Sequence, residues 1–311
     1  MTLVVARQIN NEVYLVADTK FTPTVESVIS QSNMYIGGLK LIILSPGICI
    51  GFANNTEFAR KAIEGIYDKN INIFDKNLLK DYFLNIHLLS VTEGGTIDFI
   101  IALILESEDN ETFTKEIFKI ADSKVSWENT TTYIGDNEAF NCFQDISHKG
   151  LSNSNIPTFE ITKLGKSERP DFDQSLSTAL FAMQGVIDNP IILNVDGIRT
   201  VVISEEGQFK YAEYIQVKGV PIPVRSEPNS PLSFGGAPEG SDIKHVGMYS
   251  AAGHGIFPVY WITGKFGIIY NPNECFKPTI ISNITQDEFR LIVWEVVSKA
   301  NQKALAYQNS L

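Results

Sequence analysis

Thr2 stands directly after Met1, and a methionine ahead of so small a side chain is ordinarily trimmed. The freed threonine would carry a hydroxyl nucleophile and an α-amine on one carbon. That amine can then serve as the base for its own hydroxyl. Two short apolar runs, Leu3-Val-Val-Ala6 and Val13-Tyr-Leu-Val-Ala17, flank Asn10-Asn11. Asparagine tolerates the positive φ of tight hairpin turns, so these runs predict a β-hairpin. Such a hairpin returns Asp18 to the side of Thr2. On these residues alone, an ordinary edge hairpin that happens to carry a threonine is the simpler reading.

Other patterns able to do chemistry are absent or incomplete. Cys49, Cys142 and Cys275 are widely separated and make no metal or redox spacing. Cys49 lies in an apolar strand and reads as inert core. Gly165-Lys166-Ser167 has the tail of a phosphate-binding loop, but Glu160 stands where the first glycine is required, so a surface turn is expected. No Gly-x-Ser-x-Gly, His-Glu-x-x-His or Cys-x-x-Cys occurs. His87 reads as a helix-end residue, and His245 and His254 as turn residues. No metal and no organic cofactor is expected.

The elements that must position Thr2 and Asp18 belong to a chain of 311 residues, longer than one compact core usually needs. One large domain with an extension, or two domains, is expected. The net charge of −11 comes without a basic stripe, which argues against nucleic acid as a partner. Residues 1–215 hold 17 of the 25 basic and 29 of the 36 acidic side chains, so they carry −12. Apolar stretches such as Phe99 to Leu105 are too short to span a bilayer. The opening residues lack the basic-then-apolar pattern of a secretory signal, so a cytoplasmic protein with reduced thiols is expected. The glycine- and proline-rich stretch from Gly219 to Gly240 reads as a loop or linker, with a boundary near 215–245.

After the hairpin, Lys40 to Leu44 and Ile48 to Ala53 read as strands around a Ser-Pro-Gly turn. Asn54-Asn55-Thr56-Glu57 supplies cap chemistry for a helix over Phe58 to Tyr67. A second helix from Asp75 places Leu78, Leu79, Tyr82, Phe83 and Ile86 on one face. Strands follow at Thr96 to Leu105, Phe113 to Ala121 and Thr131 to Ile134. A break at Gly135-Asp136-Asn137 opens a helix through Phe140, Phe143 and Ile146, and another runs from Asp173 to Val186. Strands at Gly197 to Ser204 and Gln208 to Tyr214 close the unit. Runs of strands alternating with runs of helices suggest stacked layers rather than a parallel βαβ sheet.

This order, with these residues at its junctions, resembles the proteasome β-subunit-like family of N-terminal-nucleophile hydrolases. The nearest likeness is to bacterial proteasome-type peptidase subunits that begin Met-Thr. The resemblance covers about residues 2 to 214 and implies an α+β fold, a four-layer αββα sandwich. It implies that Thr2 is the nucleophile and that Asp18, sixteen residues on in Val16-Ala17-Asp18-Thr19-Lys20, orients a lysine. Lys40, opening the next apolar strand, fits that lysine. An unperturbed α-amine titrates near 7.7–8.0, and a neighbouring ammonium lowers that value, which keeps the amine free to accept a proton. Gly51 in Gly-Phe-Ala-Asn-Asn-Thr matches the glycine whose N–H serves the oxyanion hole. A helix from Asn55 would aim its positive end at developing negative charge.

Two departures stand out. Asp136 occupies the place of the family's serine in Gly-Ser-Gly, where it would stabilise a protonated amine. The family's Asp-x-x-Ser-Gly-Gly loop has no clean counterpart, and Asp188, Asn194 and Asp196 are all candidates for it.

Residues 215–311 lie outside the family pattern and form the expected C-terminal α/β extension. Val246 to Ile269 reads as a hairpin or small sheet. Thr285-x-x-Glu288 is a capping box opening a helix with Phe289, Ile292, Val293, Val296 and Val297 on one face. The resemblance implies a threonine peptidase or amidohydrolase acting on peptides or proteins as a homo-oligomer, and no membrane partner is expected. The resemblance also admits an ATP-dependent unfoldase as a partner. The alternatives are a catalytically silent assembly or binding module and an unrelated amide hydrolase on the same sandwich.

Overall fold

The positive φ of Asn10 and Asn11, 47° and 62°, closes the hairpin as a two-residue turn. It joins β1 (Leu3–Ile9) to β2 (Glu12–Ala17), paired from Ile9↔Glu12 to Val4↔Ala17. The structure, a computed structural model, describes residues 2–20, 38–68, 71–73, 75–106, 113–152, 169–205, 207–217, 220–224, 232–233, 243–247, 249–250, 256–261, 265–271 and 278–308. Gly165-Lys166-Ser167, His254 and Cys275 lie outside them.

The next elements are β3 (Leu41–Ser45), β4 (Ile48–Asn54), α1 (Thr56–Asp68), α2 (Lys76–Thr92) and β5 (Ile97–Glu106). They are followed by β6 (Phe113–Ala121), β7 (Lys124–Glu128), β8 (Thr131–Gly135), α3 (Asn137–Ser152), α4 (Pro170–Ile187), β9 (Thr200–Glu205) and β10 (Gln208–Tyr211). Two antiparallel five-stranded sheets result, ordered β10-β9-β2-β1-β8 and β3-β4-β5-β6-β7. The period of two in the hairpin decides what each face covers. Val4, Ala6, Val13, Leu15 and Ala17 join one core with Leu41, Cys49, Ile50 and Phe52 of the second sheet. Leu3, Val5, Tyr14 and Val16 face the other way, against Phe140 and Phe143 of α3 and Phe172, Leu176 and Met183 of α4. The second sheet carries α1 and α2 on its far face, where Phe83 meets Phe99 edge-on at 4.8 Å. Phe99 to Leu103 is buried on both faces of β5, which explains its unbroken apolar run.

The capping chemistry expected of the helices is present. Asn55 Oδ1 accepts from Glu57 N and Phe58 N, and Asp75 Oδ1 from Asn77 N and Leu78 N. His87 is not at a helix end but buried in α2. Its Nδ1 lies 2.6 Å from Ile97 O and its Nε2 accepts from Ser123 N at 3.0 Å, pinning the β6–β7 turn. That turn uses positive φ at Asp122 and Ser123, so β7 arises without a glycine or proline signal.

Beyond β10 lie β11 (Glu213–Val217), β12 (Val220–Val224), β13 (Leu232–Ser233), β14 (Ile243–Gly247), β15 (Tyr249–Ser250), β16 (Phe257–Trp261), β17 (Phe266–Tyr270), β18 (Thr279–Ser282) and α5 (Gln286–Gln308). Six of these strands form a sheet ordered β12-β11-β14-β16-β17-β18, and β13 pairs with β15. The stretch expected to be a linker thus contains β12, a proline-bearing strand at a sheet edge. Proline lacks the N–H a central ladder needs, so Pro221 and Pro223 are tolerated only at such an edge. Phe257, Val259, Ile268 and Tyr270 join the inter-sheet core, while Tyr260 and Ile269 pack on Phe289, Val293 and Val297 of α5. The Thr285–Glu288 capping box is formed on both sides.

Candidate active site

The hairpin register sets Leu3 across from Asp18, and the first polar contacts follow from it. Thr2 Oγ1 donates to Asp18 Oδ1 at 2.5 Å, and Leu3 N donates to the same oxygen at 3.1 Å. The other carboxylate oxygen, Oδ2, accepts from Lys40 Nζ at 2.8 Å, Lys20 N at 3.1 Å and Asp196 N at 3.3 Å. Asp18 is fully buried, and these five donors replace the water it has lost.

Lys40 closes the triangle, since its Nζ also donates to Thr2 Oγ1. Its backbone is fixed one residue before β3 by Phe52 N, which donates to Lys40 O at 3.1 Å. The side chain is buried beside Asp18. Burial pushes the Lys40 ammonium below the ordinary lysine value, Asp18 opposes that shift, and the charge of Lys20 adds to it. A cation and an anion therefore flank one hydroxyl with bulk water excluded.

The carbonyl of Thr2 is held from the other side by Asp136 N at 2.7 Å. Gly135 precedes it with φ +102°, and a Cβ there would lie 1.9 Å from Thr2 O. Gly135→Ala is therefore expected to cost about 2 kcal/mol or more and to displace Thr2, read by denaturant unfolding.

The Asp136 carboxylate caps α3. Its Oδ1 accepts from Ala139 N at 3.0 Å, and its Oδ2 accepts from Asn194 Nδ2 at 2.8 Å. Burial acts to raise its pKa, but the donors Ala139 N–H, Asn194 and Glu138 N–H outweigh it and hold the group below the usual carboxylate value. Its stabilising contribution is thus present above the unfolded value of about 3.9 and lost as pH falls through the lower folded value. Asp136→Asn is expected to destabilise by about 1 kcal/mol at neutral pH, with the difference shrinking on acidification in a series of urea titrations.

Of the five residues singled out in the sequence, four converge: Thr2, Asp18, Lys40 and Asp136. Gly51 is placed differently. It sits inside the ladder, opposite Leu41 of β3 and Ile100 of β5, and a Cβ would meet Val4 at 2.8 Å and Leu41 at 3.3 Å. Its missing side chain makes room for the two sheets to pack. Further along β4, Ala53 Cβ lies 3.4 Å from where a Gly135 Cβ would stand. Asn54 ends that strand with φ +78°.

Among the three loop candidates, Asn194 reaches Asp136 and Asp196 reaches Asp18, whereas Asp188 stays at the end of α4 with Gln184. Lys20, not singled out for a role, ties this loop down. Its Nζ donates to Leu193 O at 2.8 Å and its N donates to Asp196 O at 3.1 Å. Gly197, next to Asp196, has φ +90° with Thr19 Oγ1 2.4 Å from a would-be Cβ.

Among the described residues, no group of three or more His, Cys, Asp or Glu side chains is arranged to hold a metal ion, and no helix is long and apolar enough to cross a membrane. No protein-family model and no curated protein matches the sequence. Among solved structures, the crystal structure of eukaryotic HslV from Trypanosoma brucei is similar with a TM-score of 0.42 and 15% identity, over 65% of this chain and 98% of that one.

Proposed function

We propose that the chain is a threonine-type peptidase or amidohydrolase with Thr2 as nucleophile. The observation that carries this reading is the contact of Thr2 Oγ1 with both Asp18 and Lys40 in a buried setting. A structural ion pair alone needs no hydroxyl between its partners. The mechanism requires that everything ahead of Thr2 be removed. The freed α-amine then takes the Oγ1 proton as Oγ1 attacks the scissile carbonyl carbon. Lys40 donates to Oγ1 and stabilises negative charge as it forms there. The tetrahedral intermediate collapses to an ester on Thr2, and the leaving amine takes the proton from the ammonium. Water, activated by the same amine, then hydrolyses the ester and restores the hydroxyl.

The two helix pairs and two sheets are read here as the layers of an αββα sandwich over residues 1–214, with residues 215–311 as an extension. A homo-oligomer acting on peptides or proteins in the cytoplasm, without metal or organic cofactor, belongs to the same proposal. One observation favours a second reading, a silent assembly or binding module. Asp136 N donates to Thr2 O, and the carboxylate of the same residue would hold an amine close to it protonated. Hydrolysis of fluorogenic peptides by the chain beginning at Thr2 decides between them, since a silent module releases no fluorophore.

A further inference from the structure

The loop that closes the site carries two large aliphatic side chains in water. Ile191 is 78% exposed and Leu193 is 74% exposed. Singly exposed aliphatics are ordinary on protein surfaces. This pair differs because the loop is fixed on both sides of it. Asn189 Oδ1 accepts from Ile191 N, Ile192 and Val195 pack into the α3–α4 core, and Lys20 Nζ holds Leu193 O. The next residues, Asn194 and Asp196, bond to Asp136 and Asp18. Leu193 is thus one residue from a side chain that grips Asp136, whose N–H holds Thr2 O.

We infer that Ile191 and Leu193 form an apolar contact for a substrate side chain entering the site, so that apolar residues are favoured over acidic ones. The inference rests on Thr2 being the nucleophile. Two features point to this occupant. The loop that carries the pair is tied to the Thr2–Asp18–Asp136 network through Asn194 and Asp196, and the net charge of −12 over residues 1–215 repels an acidic side chain.

The test uses two β-lactones, one with an isobutyl and one with a carboxymethyl side chain. Attack by Thr2 Oγ1 breaks the lactone acyl–oxygen bond, forms an ester on Thr2 and leaves the proton on the released alkoxide. The mass gain therefore equals the whole lactone and is followed by intact-mass spectrometry over time. The isobutyl lactone is expected to react faster. In the double variant Ile191→Ser/Leu193→Ser the rate ratio is expected to fall about tenfold, the equivalent of about 1.4 kcal/mol. Leu78→Ser, an exposed position on α2, leaves the ratio unchanged. If both lactones acylate Thr2 and the double variant keeps the ratio, the inference is overturned while the proposed function stands. A change in native mass with the ratio intact assigns the pair to a contact between copies and overturns it equally. If neither lactone acylates the wild type, the proposed function fails and the inference falls with it.

Discussion

If Thr2 is the proposed nucleophile, Thr2→Ala is expected to abolish peptide hydrolysis, with kcat falling roughly 10⁴-fold or more, as when a nucleophile acting in a unit is removed. The reason is positional. Thr2 Oγ1 is the hydroxyl that contacts both Asp18 and Lys40. The fold should survive, because the Lys40–Asp18 ion pair and the backbone donors Leu3 N, Lys20 N and Asp196 N stay in place. Loss of the hydroxyl is expected to cost about 1–3 kcal/mol, far less than the activity lost. Thr2→Ser, which keeps the hydroxyl, should retain measurable turnover. Full activity in Thr2→Ala with fluorogenic peptides would remove Thr2 from the mechanism.

Lys40→Met has the second large expected effect, and it falls on stability. Asp18 is fully buried and its Oδ2 would lose the Lys40 ammonium. Removing one member of a buried pair leaves an uncompensated charge, which costs about 3–5 kcal/mol. Set against a typical total stability of about 5–15 kcal/mol, that is a large part of the whole. Denaturant unfolding of the purified variant reads the loss directly. Adding Asp18→Asn should recover part of it, because the remaining side chain is neutral and its one amide oxygen still accepts on one side, from Leu3 N or from Lys20 N. Such recovery is a coupling between neighbours that two independent sites would not show. An unchanged midpoint in Lys40→Met would mean that the pair is not buried as described.

Local chemistry made the hairpin and most caps legible in the sequence. Asn10-Asn11 announces its turn, and sixteen residues on from Thr2 the returning strand delivers Asp18. Asn55, Asp75 and Thr285 announce their helices because capping depends on residues only two or three positions away. Gly51 was harder to place. A glycine near a strand end can serve a ligand or a close packing contact, and the packing of Gly51 against Val4 and Leu41 depends on how the two sheets meet rather than on its neighbours in sequence. The β12 strand was hidden because proline is a poor strand former except at an edge, and edge position is a property of the whole sheet. The grip of the 193–196 loop on the site was the least visible feature. The bond from Asp196 N to Asp18 spans 178 positions, beyond anything that periodicity or spacing can report. His87 shows the same limit, since its burial depends on a turn 36 residues away.

Everything proposed for Thr2 requires its own amine to be free. The most direct measurement is therefore the intact mass of the purified full chain, with the N-terminal residue identified by fragmentation. The expected result is a chain that begins at Thr2. A homogeneous, folded protein that keeps any residue ahead of Thr2 would contradict the mechanism, because the base would then be locked in a peptide bond.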